Sequence, residues 1–226
     1  ATGSNYVDWL WKANGAAVSN TDGTITSQVS ANQTAGFSIV TYTGTGANAT
    51  VGHGLGKALG LQIVKQRSAG TVEDWEVWHS GIANTERLQL NSNGAKVTSA
   101  TSWNSTSPTS TVFSVGTHQN VNESAKDFVA YCFTDVPGYQ KIGSYTGNGS
   151  ADGPFVFCGF KPRFVLIKRT DAVSSWVMYD TARDAYNASG IPLYPDLANA
   201  EGANTADMDL LSSGFKLRTT GTGRNA

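Results

Sequence analysis

The sequence predicts an all-β chain: two tandem repeated β-sandwich-like domains preceded by an N-terminal donor-type strand. Three observations carry this reading. Gly, Thr, Ser and Asn together account for 88 of 226 residues. Thr with aromatics favours strands, whereas Gly, Asn and Ser favour turns. Apolar alternation of period two recurs in a dozen short runs. Four phrases of the first half also return in the second half, in the same order.

Taken along the chain, alternation marks strands near residues 5–12, 24–30, 36–43, 60–66, 73–79, 110–115 and 127–134 in the first part. It resumes near 140–146, 154–158, 163–169, 175–180 and 214–218. Residues 14–23 have no periodicity and read as a linker. Residues 135–138, with Pro137 and Gly138, read as a short junction.

The repeated phrases are specific. Asn5-Tyr-Val-Asp-Trp-Leu-Trp11 matches Asp127-Phe-Val-Ala-Tyr-Cys-Phe133. Thr41-Tyr-Thr-Gly-Thr-Gly46 matches Ser144-Tyr-Thr-Gly-Asn-Gly149. Leu61-Gln-Ile-Val-Lys65 matches Phe164-Val-Leu-Ile-Lys168, and Asp74-Trp-Glu-Val-Trp-His79 matches Ser175-Trp-Val-Met-Tyr-Asp180. The expected division is an N-terminal donor strand at 1–13, a linker with a short strand at 14–35, and β domains at 36–134 and 135–226. The first domain closes on the 127–133 strand. The second has no counterpart of it, and the spare copy stands at the N-terminus.

Composition narrows the function classes. Charged residues are 15% and the net charge is −1, so no basic footprint for nucleic acid exists. No apolar run approaches the roughly 18 residues of a membrane helix. Two cysteines, Cys132 and Cys158, exclude a disulfide scaffold and a four-cysteine zinc site, and both sit in apolar strand contexts. The chain opens on Ala-Thr-Gly with no signal-peptide pattern, and reads as a processed form or part of a longer product. Six Asn-x-Ser/Thr sequons begin at Asn32, Asn48, Asn104, Asn122, Asn148 and Asn187.

The phrases running from Ala35 to Gly46, from Gly143 to Gly153 and from Phe164 to Thr170 resemble a tandem β-domain family of uncharacterised, phage-associated and environmental bacterial proteins. The resemblance implies a structural or surface role. The repeat, cut out of phase with its own units, also resembles pilus-like fibril subunits assembled by donor-strand complementation.

The search for chemistry returns little. His53, His79 and His118 are scattered without metal-ligand spacing, so no metal site and no cofactor is expected. Gly52-His-Gly-Leu-Gly56 lacks the P-loop lysine and reads as a turn. Glu73, Asp74 and Glu76 flank Trp75 and read as solvated strand faces rather than a glycosidase pair. No catalytic residue is assigned, and the chain is expected not to be an enzyme. Trp103, in a polar Ser/Thr/Asn segment, is the surface candidate for a glycan contact.

Residues Tyr6, Val7, Asp8, Trp9, Leu10 and Trp11 are different. In an extended strand Val7, Trp9 and Trp11 share one face. Two Trp on one face stabilise by several kcal/mol if desolvated, at about 25 cal/mol per Å². Such a strand must insert somewhere: its own second domain, that of another protomer, or a further unit of a longer polypeptide. The expected function is therefore a structural subunit of an extracellular or virion- or cell-surface filament, a head-to-tail homopolymer. Its N-terminal strand enters an acceptor formed by Phe164, Leu166, Trp176, Phe215 and Leu217. The alternative is a carbohydrate-binding or adhesion module of a phage fibre or bacterial surface protein.

Overall fold

The computed structural model describes residues 6–68, 73–203 and 205–226. The described residues form an all-β structure of fifteen short strands in several antiparallel sheets, with one helical turn. In the first part these are β1 (Val18–Asn20), β2 (Ser27–Asn32), β3 (Phe37–Thr43), β4 (Ala49–Gly52), β5 (Leu61–Gln66) and β6 (Glu76–His79). They continue with β7 (Glu86–Gln89), β8 (Val97–Thr98), β9 (Val112–Val115), α1 (Gln119–Asn122) and β10 (Asp127–Phe133). Eight of the strands make one sheet in the order β1-β2-β3-β10-β5-β6-β7-β8, and β4 with β9 makes a second layer.

The last strand in sequence, β10, thus lies in the middle of the large sheet. It pairs with β3 along its whole length and with β5 from Phe128 to Phe133. A central strand is covered on both faces, and β10 is apolar on both. Phe128, Ala130 and Cys132 are fully buried against the layer holding Val51, Phe113 and Val115. Val129, Tyr131 and Phe133 occupy the opposite face, where Trp75 stacks on Tyr131. Burial pushes the Cys132 thiol up to about 12, which leaves it an inert packing group. Cys132 and Cys158 are both free thiols.

The second part is smaller. It contains β11 (Phe155–Phe157), β12 (Phe164–Ile167), β13 (Val177–Asp180), β14 (Met208–Leu211) and β15 (Gly214–Leu217). The sheet β11-β15-β14 and the pair β12-β13 enclose Val165, Ile167, Val177, Tyr179, Met208, Leu210, Phe215 and Leu217. A third apolar cluster forms the seam between the two parts. Trp176 packs there on Val77, Ile82 and Leu88 of the first part, and its indole N–H donates to the Gln89 carbonyl at 2.8 Å. Ser174 N–H to Asn93 O and Lys96 N–H to Thr170 O extend the seam.

Several strands depart from the sequence expectation. Residues 18–20, placed in the linker, form β1 because a polar edge strand needs backbone pairing rather than alternation. β4, β7, β8 and β14 were too short to show a period. Conversely, residues 140–146 alternate but form no strand. In the first part the corresponding β3 has β2 on one side and β10 on the other. Residues 140–146 have neither neighbour, and Ile142 and Ser144 run close beside Gly60 and Gly81 instead. The strand expected at 5–12 likewise makes no ladder over its described residues, and its first residue, Asn5, lies outside them.

Candidate assembly site

A single lock recurs in the two parts. Asn122 is fully buried, and its amide donates to Ala47 O and Gly116 O while its oxygen accepts from Thr45 N–H at 2.8 Å. Asn225 is fully buried, donates to Ser150 O and Thr219 O, and accepts from Asn148 N–H at 2.8 Å. Every partner is shifted by 103 residues. The Tyr42 hydroxyl donates to Val121 O, and the Tyr145 hydroxyl donates to Arg224 O, at the same shift. Gly44 and Gly147 follow suit. A Cβ there would stand 2.3 Å from Glu123 O and 2.4 Å from Ala226 O, so only glycine lets the two segments approach.

These shared contacts superimpose the surroundings of β10 on the second part. In the first part, β10 lies between β3 and β5. In the second part, the corresponding place lies between residues 140–146 and β12. Among the described residues, β12 pairs with β13 alone, so the edge that β5 gives to β10 carries no strand. An uncovered strand edge presents a row of unpaired N–H and C=O groups, a template for another chain.

Beside this place lies the N-terminal arm. Its hinge is tied to β2: Asn14 N–H donates to the Ser30 hydroxyl, which donates to Gly15 O, and the Asn32 amide donates to Lys12 O. Trp11 then stands edge-on between two rings, 6.2 Å from Phe133 and 5.6 Å from Phe164, the first residue of β12. Trp9 lies 6.1 Å from Phe164. The Trp9 indole N–H is buried without a hydrogen-bond partner. On the other face of the arm, Tyr6 is 89% and Leu10 92% exposed.

The expected acceptor residues therefore separate. Phe164 and Leu166 share the half-buried face of β12, where Phe164 meets the arm and Leu166 packs against the seam. Phe215 and Leu217 belong to the core of the second part, and Trp176 is taken by the seam. Trp103 corrects the sequence reading outright. It is 1% exposed, packs in the first core and donates to Glu86 O, so it offers no platform to a glycan. Its polar neighbours form a tight turn around it instead, with Asn104 and Ser105 at positive φ. The sequon residue Asn122 is equally enclosed, with both amide hydrogens donated. Sequence reasoning missed Phe133 as an arm contact and the hinge residues Ser30 and Asn32. Nothing local marks them, because their roles arise only where β2, β10 and the arm meet.

The carboxylates beside Trp75 are not solvated as a group. Glu76 is fully buried, paired with Arg87 and bonded by Asn120 at 2.7 Å. Asp74 accepts from Gln89 and Asn91. This network braces β6, β7 and α1, and no group of three or more metal-ligating side chains forms among the described residues. Breaking a buried ion pair from one side costs about 3–5 kcal/mol. Arg87→Ala should lower the unfolding free energy of the first part by that amount in urea titrations. A change below about 1 kcal/mol would show that water reaches the carboxylate.

The family model described as Domain of unknown function (DUF7483) matches residues 1–226. The chain belongs to this family. The matched range includes the arm, both cores and the seam. No curated protein and no solved structure matches the chain. No helix among the described residues is long and apolar enough to cross a membrane.

Proposed function

We propose that this chain is a non-enzymatic structural subunit of an extracellular helical filament, at a cell or virion surface. It polymerises by inserting Tyr6–Trp11 beside β12 of another copy. One observation carries the reading: the place that β10 fills in the first part is bordered in the second by an edge of β12 without a ladder and by residues 140–146, which join no ladder among the described residues beyond the Gln140–Val136 bridge. The sequence match between 5–11 and 127–133 names the occupant. In that register Tyr6 and Leu10 take the buried positions of Phe128 and Cys132, which removes the arm's most exposed apolar side chains from water. Asp8, opposite Ala130, is the polar exception. Donor and acceptor lie at different places on the chain, so the contact is heterologous and generates a ring or an open helix. Main-chain pairing supplies affinity and the alternating pockets supply specificity. The alternative, a carbohydrate-binding or adhesion module, loses the glycan contact named for it, because Trp103 lies in the first core.

Electron microscopy of the concentrated native protein should show regular filaments, and light scattering should show mass growing with concentration. A single-chain mass at every concentration sinks the proposal. The joint is apolar and backbone-mediated, so it should persist in 1 M salt, where the Debye length falls to about 3 Å. Dissolution on raising salt would point to an ionic interface instead.

A further inference from the structure

The arm in a single chain does not hang free, and it is not inserted either. Three hydrogen bonds from Ser30 and Asn32 hold its hinge, and Trp9 and Trp11 rest at the entrance of the chain's own acceptor place. This resting pose is poorly satisfied. It makes no ladder, it buries the Trp9 N–H without a partner, and it leaves Leu10 and Tyr6 in water. A buried donor without a partner is costly.

From these contacts we infer that the arm is a self-parked latch, and that the hinge Lys12–Gly15 on β2 gates assembly. The inference rests on the donor-strand reading above. Parked and donated arms compete for one place, so hinge bonds that favour parking lower the fraction of chains ready to donate. The apparent affinity for polymerisation is reduced by that fraction. The same exchange of one element between identical chains is domain swapping, which hinge changes commonly promote. Gly15 sits at φ +74°, and a Cβ there would meet nothing within 4 Å. Gly15→Ala therefore strains the parked hinge without touching the core. Ser30→Ala removes two of the three hinge bonds by a second route.

The test measures the threshold concentration for assembly in full-length wild type, Gly15→Ala and Ser30→Ala. In parallel, a synthetic peptide of residues 4–13 is titrated into full-length Trp9→Ala/Trp11→Ala, whose own arm cannot compete. Both hinge variants should assemble at a concentration several-fold lower, up to roughly tenfold for the loss of about one hydrogen bond's worth of holding. Amide exchange over residues 12–15 in dilute solution should quicken in step. The peptide should bind the double variant, and it should bind equally well when Gly15→Ala is added. If the peptide binds but neither hinge variant lowers the threshold, the latch is wrong and strand donation stands. If the peptide fails to bind, the donor-strand reading falls and the latch falls with it.

Discussion

Replacing Trp9 and Trp11 together by Ala should abolish filament formation while leaving the folded chain intact. Neither ring belongs to the two cores, and their aromatic contacts are with Phe133 and Phe164, so each part should keep its own packing without them. In the assembled joint they should take the places of Tyr131 and Phe133, on a face where Trp75 and Phe37 cover those rings in the first part. Truncating a core Trp to Ala costs about 3–5 kcal/mol. Even half of that for each ring raises the threshold concentration by at least about 10²-fold, at roughly 1.4 kcal/mol per tenfold. Sedimentation or scattering across a concentration series reads this directly, with circular dichroism as the control for folding. Filaments of normal stability from the double variant would mean that the arm is not the joint.

Asn225→Ala should have the second large effect, and Asn122→Ala its counterpart. Each change empties a fully buried side-chain site and leaves one backbone N–H and two carbonyls, most of them part-buried, without their partner. An orphaned buried polar group costs about 1–3 kcal/mol, so a total near 3 kcal/mol is expected after partial relaxation. At about 4–8 °C per kcal/mol for a domain of this size, the affected part should melt roughly 10–20 °C lower. The two variants should differ in what they undo. Asn122→Ala strikes a part already closed by β10. Asn225→Ala strikes the part whose acceptor place carries no strand, so it should also weaken binding of an added 4–13 peptide. Asn→Asp at either site keeps the acceptor and loses both donors, and should fall nearly as far. Melting points within about 2 °C of wild type would show that solvent replaces the lock.

Part of the proposed site was legible and part was not. The proposed role of the arm came from a phrase match between 5–11 and 127–133, which needs no contact to see. Phe164 and Leu166 could be named because they repeat Leu61 and Ile63, whose strand β5 pairs with β10. Trp103 and Trp176 went astray for a common reason. A Trp among Ser and Thr looks exposed, and a Trp at a repeated strand position looks like a core residue of its own unit. The first is enclosed by a turn folding over it, and the second is enclosed by the other half of the chain.

What the sequence determined by itself is the local grammar of this protein. Period-two alternation with Thr and aromatics marks strands, Gly and Asn mark turns, and collinear phrases relate stretches of the first half to stretches of the second. These properties act over two to seven residues, or by direct comparison of one stretch with another, so no geometry is required. Only the tertiary structure decided which alternating stretches become strands, because a strand exists only when a neighbour satisfies its backbone. Residues 37–43 and 140–146 carry the same pattern, yet β3 lies between β2 and β10 while 140–146 join no ladder among the described residues beyond the Gln140–Val136 bridge. The same rule leaves the described residues of the arm without a ladder. Pairing depends on a partner distant in sequence, and the order of residues along the chain does not encode where that partner stands.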